Sequence, residues 1–468
     1  MVTTVTVEAA DASEPFPSSQ GTPAPTAAPF VAPPPDDSVA AAIERVRLRD
    51  PRVLAAQLEA QRAFERTARI SAGRLPQASV GYDLGRQYIA DTTASGATRG
   101  SKDLRAPSLN VVWDLDLFRA TRASIAESLA VARQGEEKYR QSWSLVVLET
   151  VEAYVALFRL QEQLQITRET LRQYSRLVKV IDERVAADLA PPARRSEAML
   201  RLREVLDERN ELRTQLAEAG QNWRLLVGTD PPEEMARPRV ASGYGGPGTL
   251  DVERLLAQAL ADQPQLRANR HSIEGNRRAL EAQEANQYPR VSLFVSANEA
   301  DPASANGSYA GSPRERAAAA GVRLSWTFFG MAPGNSVAEQ SYALRQNEAE
   351  DERLRRDVER NLRNTVDVLS GIDERRQVTS QTLVIADAVF QQRQSVFQTQ
   401  SMGEEAVLAL TGAIQSRARA KVALLNLEAR EVIASYYLLQ GSGQLLRWFP
   451  PPMTLMEEAP MRHFGPGH

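Results

Sequence analysis

Between Leu109 and Phe118 the chain alternates. Leu109, Val111, Trp113, Leu115 and Leu117 are apolar, and Asn110, Asp114 and Asp116 lie among the positions between them. A period of two predicts a strand with one apolar and one polar face. After Phe118 the period lengthens to helical steps through Ala120, Ala123, Ile125, Ala126, Leu129 and Ala130, with no Gly or Pro at the change. The same passage recurs at Val322–Phe328, ahead of a helical run from about Ser336. Trp326 stands 213 positions after Trp113, and Val39 with Val252, Pro51 with Pro264, Pro76 with Pro289 and Gly228 with Gly441 keep that offset. Unrelated landmarks at one spacing indicate an internal duplication of a unit running helix, proline-broken helix, strand, loop, strand, long helix, helix.

The first unit is expected at 38–236, with strands at about 78–88 and 106–117, and the second at 251–445, with strands at about 290–298 and 318–328. A Pro-rich disordered leader (1–37), a linker (237–250) and an irregular tail (446–468) surround them. Asp37 or Ser38 is placed to cap the first helix, and Asp50-Pro51 to cap and restart it. Pro76 and Pro289 end the helices before the strands. The connections Ile89–Leu104 and Asn298–Arg316, rich in Gly, Ser, Ala, Thr and Asp, are expected as exposed loops.

From Arg119 to about Ala187 there is no proline and only Gly135, which predicts one helix about 100 Å long at 1.5 Å per residue. Leu145, Leu148, Val151, Val155, Phe158, Leu164, Leu171, Leu177, Val178 and Ile181 predict a narrow coiled-coil stripe along it. Pro191-Pro192 turns the chain into a helix from about Arg194 to Val227. The second unit turns near Ser401-Met402-Gly403 and ends at Gly441. The fold class is therefore mostly α with a small β part.

The charges nearly cancel, 56 Lys and Arg against 59 Asp and Glu, which gives no case for a nucleic-acid partner. The absence of cysteine excludes disulfides, thiolate metal sites and a lipidated N-terminal Cys in this sequence. With three histidines, two of them in the tail, no metal site or cofactor is expected. No catalytic constellation is present, so no enzyme is expected. Gly243–Gly248 reads as linker, because no strand precedes it and no Gly-Lys-Ser/Thr follows. No run of eighteen apolar residues predicts a transmembrane helix, but barrel strands of about ten alternating residues leave no such run. Residues 1–37 hold eight of the 27 prolines and no Lys or Arg, unlike a signal peptide. Trp113 and Trp326 are candidate membrane-interface anchors, with a soluble core role as the plain alternative. Asp116 is placed to cap the long helix.

Asp50-Pro51-Arg52-Val53-Leu54 with Gln263-Pro264-Gln265-Leu266, Leu75-Pro76-Gln77 with Tyr288-Pro289-Arg290, and Trp113-Asp114-Leu115-Asp116-Leu117-Phe118 together resemble the TolC family of outer-membrane efflux and secretion channels. The resemblance covers 38–445. It implies a homotrimer in which each protomer gives four strands to a twelve-stranded barrel in outer-membrane lipid and long helices to a periplasmic tunnel. Four strands cannot close a barrel, which needs at least about eight, so a membrane role requires several copies.

The resemblance further implies a passive duct that exports small molecules with a periplasmic adaptor protein and an inner-membrane pump. A polypeptide secretion duct and a soluble coiled-coil scaffold are the alternatives. Asp188, Glu404 and Glu405 fall at the hairpin tips and are the candidate gate or selectivity residues, because a ring of carboxylates at a constriction attracts cations. The chain departs from the family's pattern at Arg119, where Gly is common, and at Pro191-Pro192, which replaces a small, Gly-containing turn.

Overall fold

A computed structural model describes residues 38–47, 49–93, 96–188, 191–241, 250–304, 315–326, 332–399 and 404–452. The leader 1–37, the turn 401–403 and the tail from 453 lie outside the described residues. The order is α1 (Val39–Val46), α2 (Pro51–Ala72), β1 (Gln77–Thr93), β2 (Gly96–Leu115), α3 (Ala120–Ala186) and α4 (Pro192–Val227), then α5 (Val252–Asp262), α6 (Pro264–Ala285), β3 (Arg290–Ser304), β4 (Glu315–Ser325), α7 (Ala332–Thr399) and α8 (Glu404–Gly441). A four-residue helix, α9 (Leu445–Trp448), occupies the start of the expected tail. The second six elements repeat the first six.

Local chemistry sets the helix starts. Ser38 Oγ accepts from the Ala41 N–H, and the Asp50 carboxylate accepts from the Arg52 and Val53 N–H groups, so donors with no partner inside the helix are satisfied. Pro51 and Pro264 stand at first helical positions, where the missing N–H is not needed.

The 67-residue α3 is the axis of the molecule and packs against α2, α4, α6 and α8. Surrounded in this way, it buries more than the narrow stripe expected. Val146, Val147 and Leu148 are buried in succession, and Tyr139, Trp143, Tyr154 and Tyr174 are sealed in while Leu145 lies exposed. Trp143 Nε1 donates to Phe449 O at 2.9 Å, Tyr154 Oη to Ala236 O at 2.8 Å and Tyr174 Oη to Thr411 O at 3.2 Å. Toward the far end of the helices, Tyr174, Leu177, Ile181, Phe390, Phe397 and Ile414 form a second cluster, so both hairpins end side by side.

The four strands form one antiparallel sheet in the order β1-β2-β3-β4. The strands run well into the segments expected as loops. β1 continues to Thr93 and β2 begins at Gly96, with Thr93 facing Gly96, while β3 reaches Ser304 and β4 begins at Glu315. Small polar residues carry no alternation signal, yet their backbones satisfy the ladder as well as any others. Residues 94–95 and 305–314 lie outside the described residues.

Candidate functional site: the sheet and its junction with the helices

Register sorts the side chains of the sheet by face. On one face Val80 pairs with Leu109, Val111 with Val295, Trp113 with Leu293, and Leu293 with Val322. The opposite face carries Ser79, Asn110, Ser296 and Ala319 in one row and Asp114, Ser292 and Arg323 in another. The expected alternation therefore becomes a continuous apolar surface on one side and a polar surface on the other. Phe294, which interrupts the polar pattern, lies over Gly321, where an added Cβ would approach its ring to 3.2 Å, and under the Arg323 guanidinium at 5.0 Å.

Among the described residues nothing packs on the apolar face. Val80 is 83% exposed, Leu324 66% and Val322 65%. On β2 it runs from Pro107 to Leu115, about 27 Å at 3.4 Å per residue, close to the hydrocarbon thickness of a bilayer. No described helix is long and apolar enough to cross a membrane.

The junction below the sheet is built twice. Trp113 Nε1 donates to Arg74 O and Trp326 Nε1 to Gln287 O, each at 3.0 Å, so each indole ties the end of a strand to the end of the helix that precedes the hairpin. Both rings are partly exposed at that boundary. Asp116 receives the Thr121 N–H on Oδ1 (2.9 Å) and the Arg122 N–H on Oδ2 (3.0 Å), which makes it the cap of α3. Between them Arg119 has φ 63°, a left-handed backbone that glycine adopts without strain.

At the opposite end Asp188 follows α3, exposed and with φ 55°. Glu404 and Glu405 open α8, and their side chains lie outside the described residues. No described contact joins Asp188 to that turn. No group of described residues is arranged to hold a metal ion.

Sequence reading missed two ionic clusters in the helical body. Glu137, buried between α3 and α6, accepts from Arg140 at 3.0 Å, lies 3.9 Å from Arg267, and leaves Oε2 without a partner. Burial pushes its carboxyl above the usual range, against the pull of Arg140 and Arg267. Farther along, Glu169 of α3 receives Lys421 at 2.8 Å and Arg417 at 3.0 Å from α8, and Arg417 also bridges to Asp387 of α7. The Lys421 hydrogen bond leads in holding the Glu169 carboxyl below its usual range. Arg140 stands at helical spacing from Glu137, but the contacts from Arg267, Lys421 and Arg417 come from helices distant in sequence, and no local spacing announced them.

Sheet and helices define the class: a duplicated, mostly helical chain with a small antiparallel sheet, of the fold found in outer-membrane channels. The VceC outer membrane protein of Vibrio cholerae superposes with a TM-score of 0.74 at 17% identity, over 86% of this chain and 96% of that one. The CmeC outer membrane channel of Campylobacter jejuni gives 0.76 at 12%, over 87% and 86%. Residues 42–229 match the family described as outer membrane efflux protein.

Among its relatives is the toluene efflux pump outer membrane protein TtgF of Pseudomonas putida, 26% identical over 269 residues, 54% of this chain. The match spans about half of that relative, 52% of its length. The alkaline protease secretion protein AprF of Pseudomonas aeruginosa is 24% identical over 331 residues, 68% of this chain and 65% of AprF.

Proposed function

We propose that the chain is the outer-membrane duct of a tripartite efflux system, a homotrimer with a twelve-stranded barrel that passes small molecules from periplasm to exterior. The observation that carries this reading is the four-stranded sheet, apolar and bare on one face, polar on the other, and open at both edges. A lone sheet of that kind is unstable in water and in lipid alike, and closure with other copies satisfies both its edges and its apolar face. The helices below it would then form the wall of a tunnel about 100 Å long.

In this duct no step is driven by the chain itself. Energy and choice of substrate belong to an inner-membrane pump, coupled through a periplasmic adaptor that docks at the helix-hairpin tips. Asp188, Glu404 and Glu405 act there as the cation-attracting gate. Trp113 and Trp326, tied to helix ends and partly exposed, anchor the barrel at the periplasmic interface of the membrane.

Deleting the gene in its host is expected to raise susceptibility to apolar toxic compounds, with restoration by the native gene. Unchanged susceptibility would contradict small-molecule export. A secretion duct for polypeptides is the second reading, favoured by the match to AprF over 68% of this chain. Loss of an extracellular protein from the culture medium of the same deletion strain would select it.

A further inference from the structure

One cleft in the helical body carries an excess of positive charge. On α3, Arg133, Glu136, Glu137 and Arg140 stand three and four residues apart and share one face of the helix. On α6, Arg267, Arg270 and His271 do the same. The packing of α3 on α6 sets these faces around a cavity of about 480 Å³. Four guanidiniums line it against two carboxylates. A second cavity, between α3, α4 and α8, is balanced instead, with Arg201 and Arg419 against Glu204 and Glu208.

The two carboxylates of the α3–α6 cleft occupy only part of its cationic donors. Arg140 reaches Glu136 at 2.7 Å and Glu137 at 3.0 Å, so one guanidinium serves both. Arg267 lies 3.9 Å from Glu137 and 3.8 Å from Asp262, beyond hydrogen-bond length of either. Arg270 donates to Leu260 O, one bond from a group with five N–H donors. Arg133 is exposed and enters no ion pair among the described residues. Three arginines from two helices therefore keep free donors at one cavity. His271 senses the same charges: burial first, then Arg133 and Arg267, hold its imidazole below the ordinary range.

A cation is repelled by such a cleft. Donors arriving from two helices suit a tetrahedral anion, whose oxygens accept from several directions, better than a planar carboxylate, which one arginine fork satisfies. We propose that the α3–α6 cleft binds a phosphate group carried by a small soluble molecule. The fold does not require this charge: 213 positions before Arg267, Arg270 and His271 stand Leu54, Gln57 and Leu58 on α2, so the equivalent helix of the other repeat lacks the basic face. With the sheet in the membrane, a lipid phosphate does not reach the cleft. Arg133 and Arg140 come 13 and 20 residues after Ala120, which sets them about 20–30 Å along α3 from the end nearer the sheet.

The test is calorimetric titration of inorganic phosphate into the purified protein in detergent, at an ionic strength held constant with chloride. Saturable binding is expected for the native chain. The Kd is expected to rise at least about tenfold in Arg133→Gln and in Arg270→Gln, from the usual strength of a hydrogen bond between charged partners. Arg133→Gln is also expected to keep the native melting temperature, which separates lost binding from lost fold. Glu137→Gln, which removes negative charge beside the ligand, is expected to bind more tightly than the native chain.

Glycerol phosphate is expected to displace inorganic phosphate, whereas a short-chain phosphatidate in the micelle is not. Displacement by the phosphatidate alone overturns the soluble source. No saturable uptake by folded native protein, or native affinity in both arginine variants, overturns the site. Weaker binding by Glu137→Gln overturns the reading that the cleft lacks negative charge. None of these results bears on the conduit, which conductance tests separately.

Discussion

Arg119 carries a backbone conformation that suits glycine, in the three-residue passage between the Asp116 cap and the first turn of α3. The resemblance to channels with glycine at this point was visible in the sequence, but the reason for it lay in a φ of 63° that no side-chain pattern encodes. A left-handed non-glycine residue costs about 1 kcal/mol. Arg119→Gly is therefore expected to raise stability by about 0.5–1 kcal/mol, read as a higher melting temperature of the purified protein. A lower one would mean that the Arg119 side chain holds the junction.

Glu137 tests the residue scale differently. Its folded pKa is raised by burial, so the protonated carboxyl favours the fold fully below the unfolded pKa, and that contribution is lost as pH rises through the folded value. Glu137→Gln mimics the neutral form. Relative to the native chain its melting temperature is expected to improve progressively as pH rises above the unfolded carboxylate pKa. Glu169, whose carboxyl is held low by Lys421 and Arg417, behaves in the opposite sense. Its contribution is present above the unfolded pKa and lost as pH falls through the folded value, so Glu169→Gln is expected to cost most at neutral pH. Parallel trends in the two variants would contradict these assignments.

At the scale of elements, the sheet makes the sharpest demand. Val80→Arg or Leu324→Arg is expected to cost about 2–4 kcal/mol if those positions meet lipid near the bilayer midplane, whereas Ser296→Arg on the opposite face is expected to cost much less. Urea titration of the assembly in lipid vesicles checks the difference, and equal tolerance of all three would remove the lipid from the apolar face. This element was legible because the period changed from two to helical within a few residues at Phe118, and did so again 213 positions later.

The outer halves of the strands were not legible. Gly96 to Leu104 holds a ladder through backbone groups, which any sequence supplies, and it carries no apolar rhythm to betray it. Nor did the stripe on α3 foretell its burial on several sides, since Trp143 and Tyr139 belong to one buried cluster with side chains of α1, α2, α4 and α8. The helix starts were readable to the residue at Asp50, because cap chemistry is local.

At the scale of the molecule, two similar halves give one chain an open sheet above a bundle of long helices, with two matched Trp–carbonyl bonds where the two meet. Bare apolar strands and unpaired edges are unfinished features of a single copy. In the proposed assembly neighbouring copies complete them, and the enclosed space that results is the proposed conduit. The sequence reading proposed the conduit from family resemblance and from the impossibility of closing a barrel with four strands.

The most direct test of the conduit is single-channel conductance in planar bilayers, using assembly purified from outer membranes. Discrete, cation-preferring current steps are predicted, with cation preference reduced when Glu404 and Glu405 are replaced together by Gln. Protein recovered only from the soluble fraction, with no current steps at any voltage, would contradict the account and favour a coiled-coil scaffold.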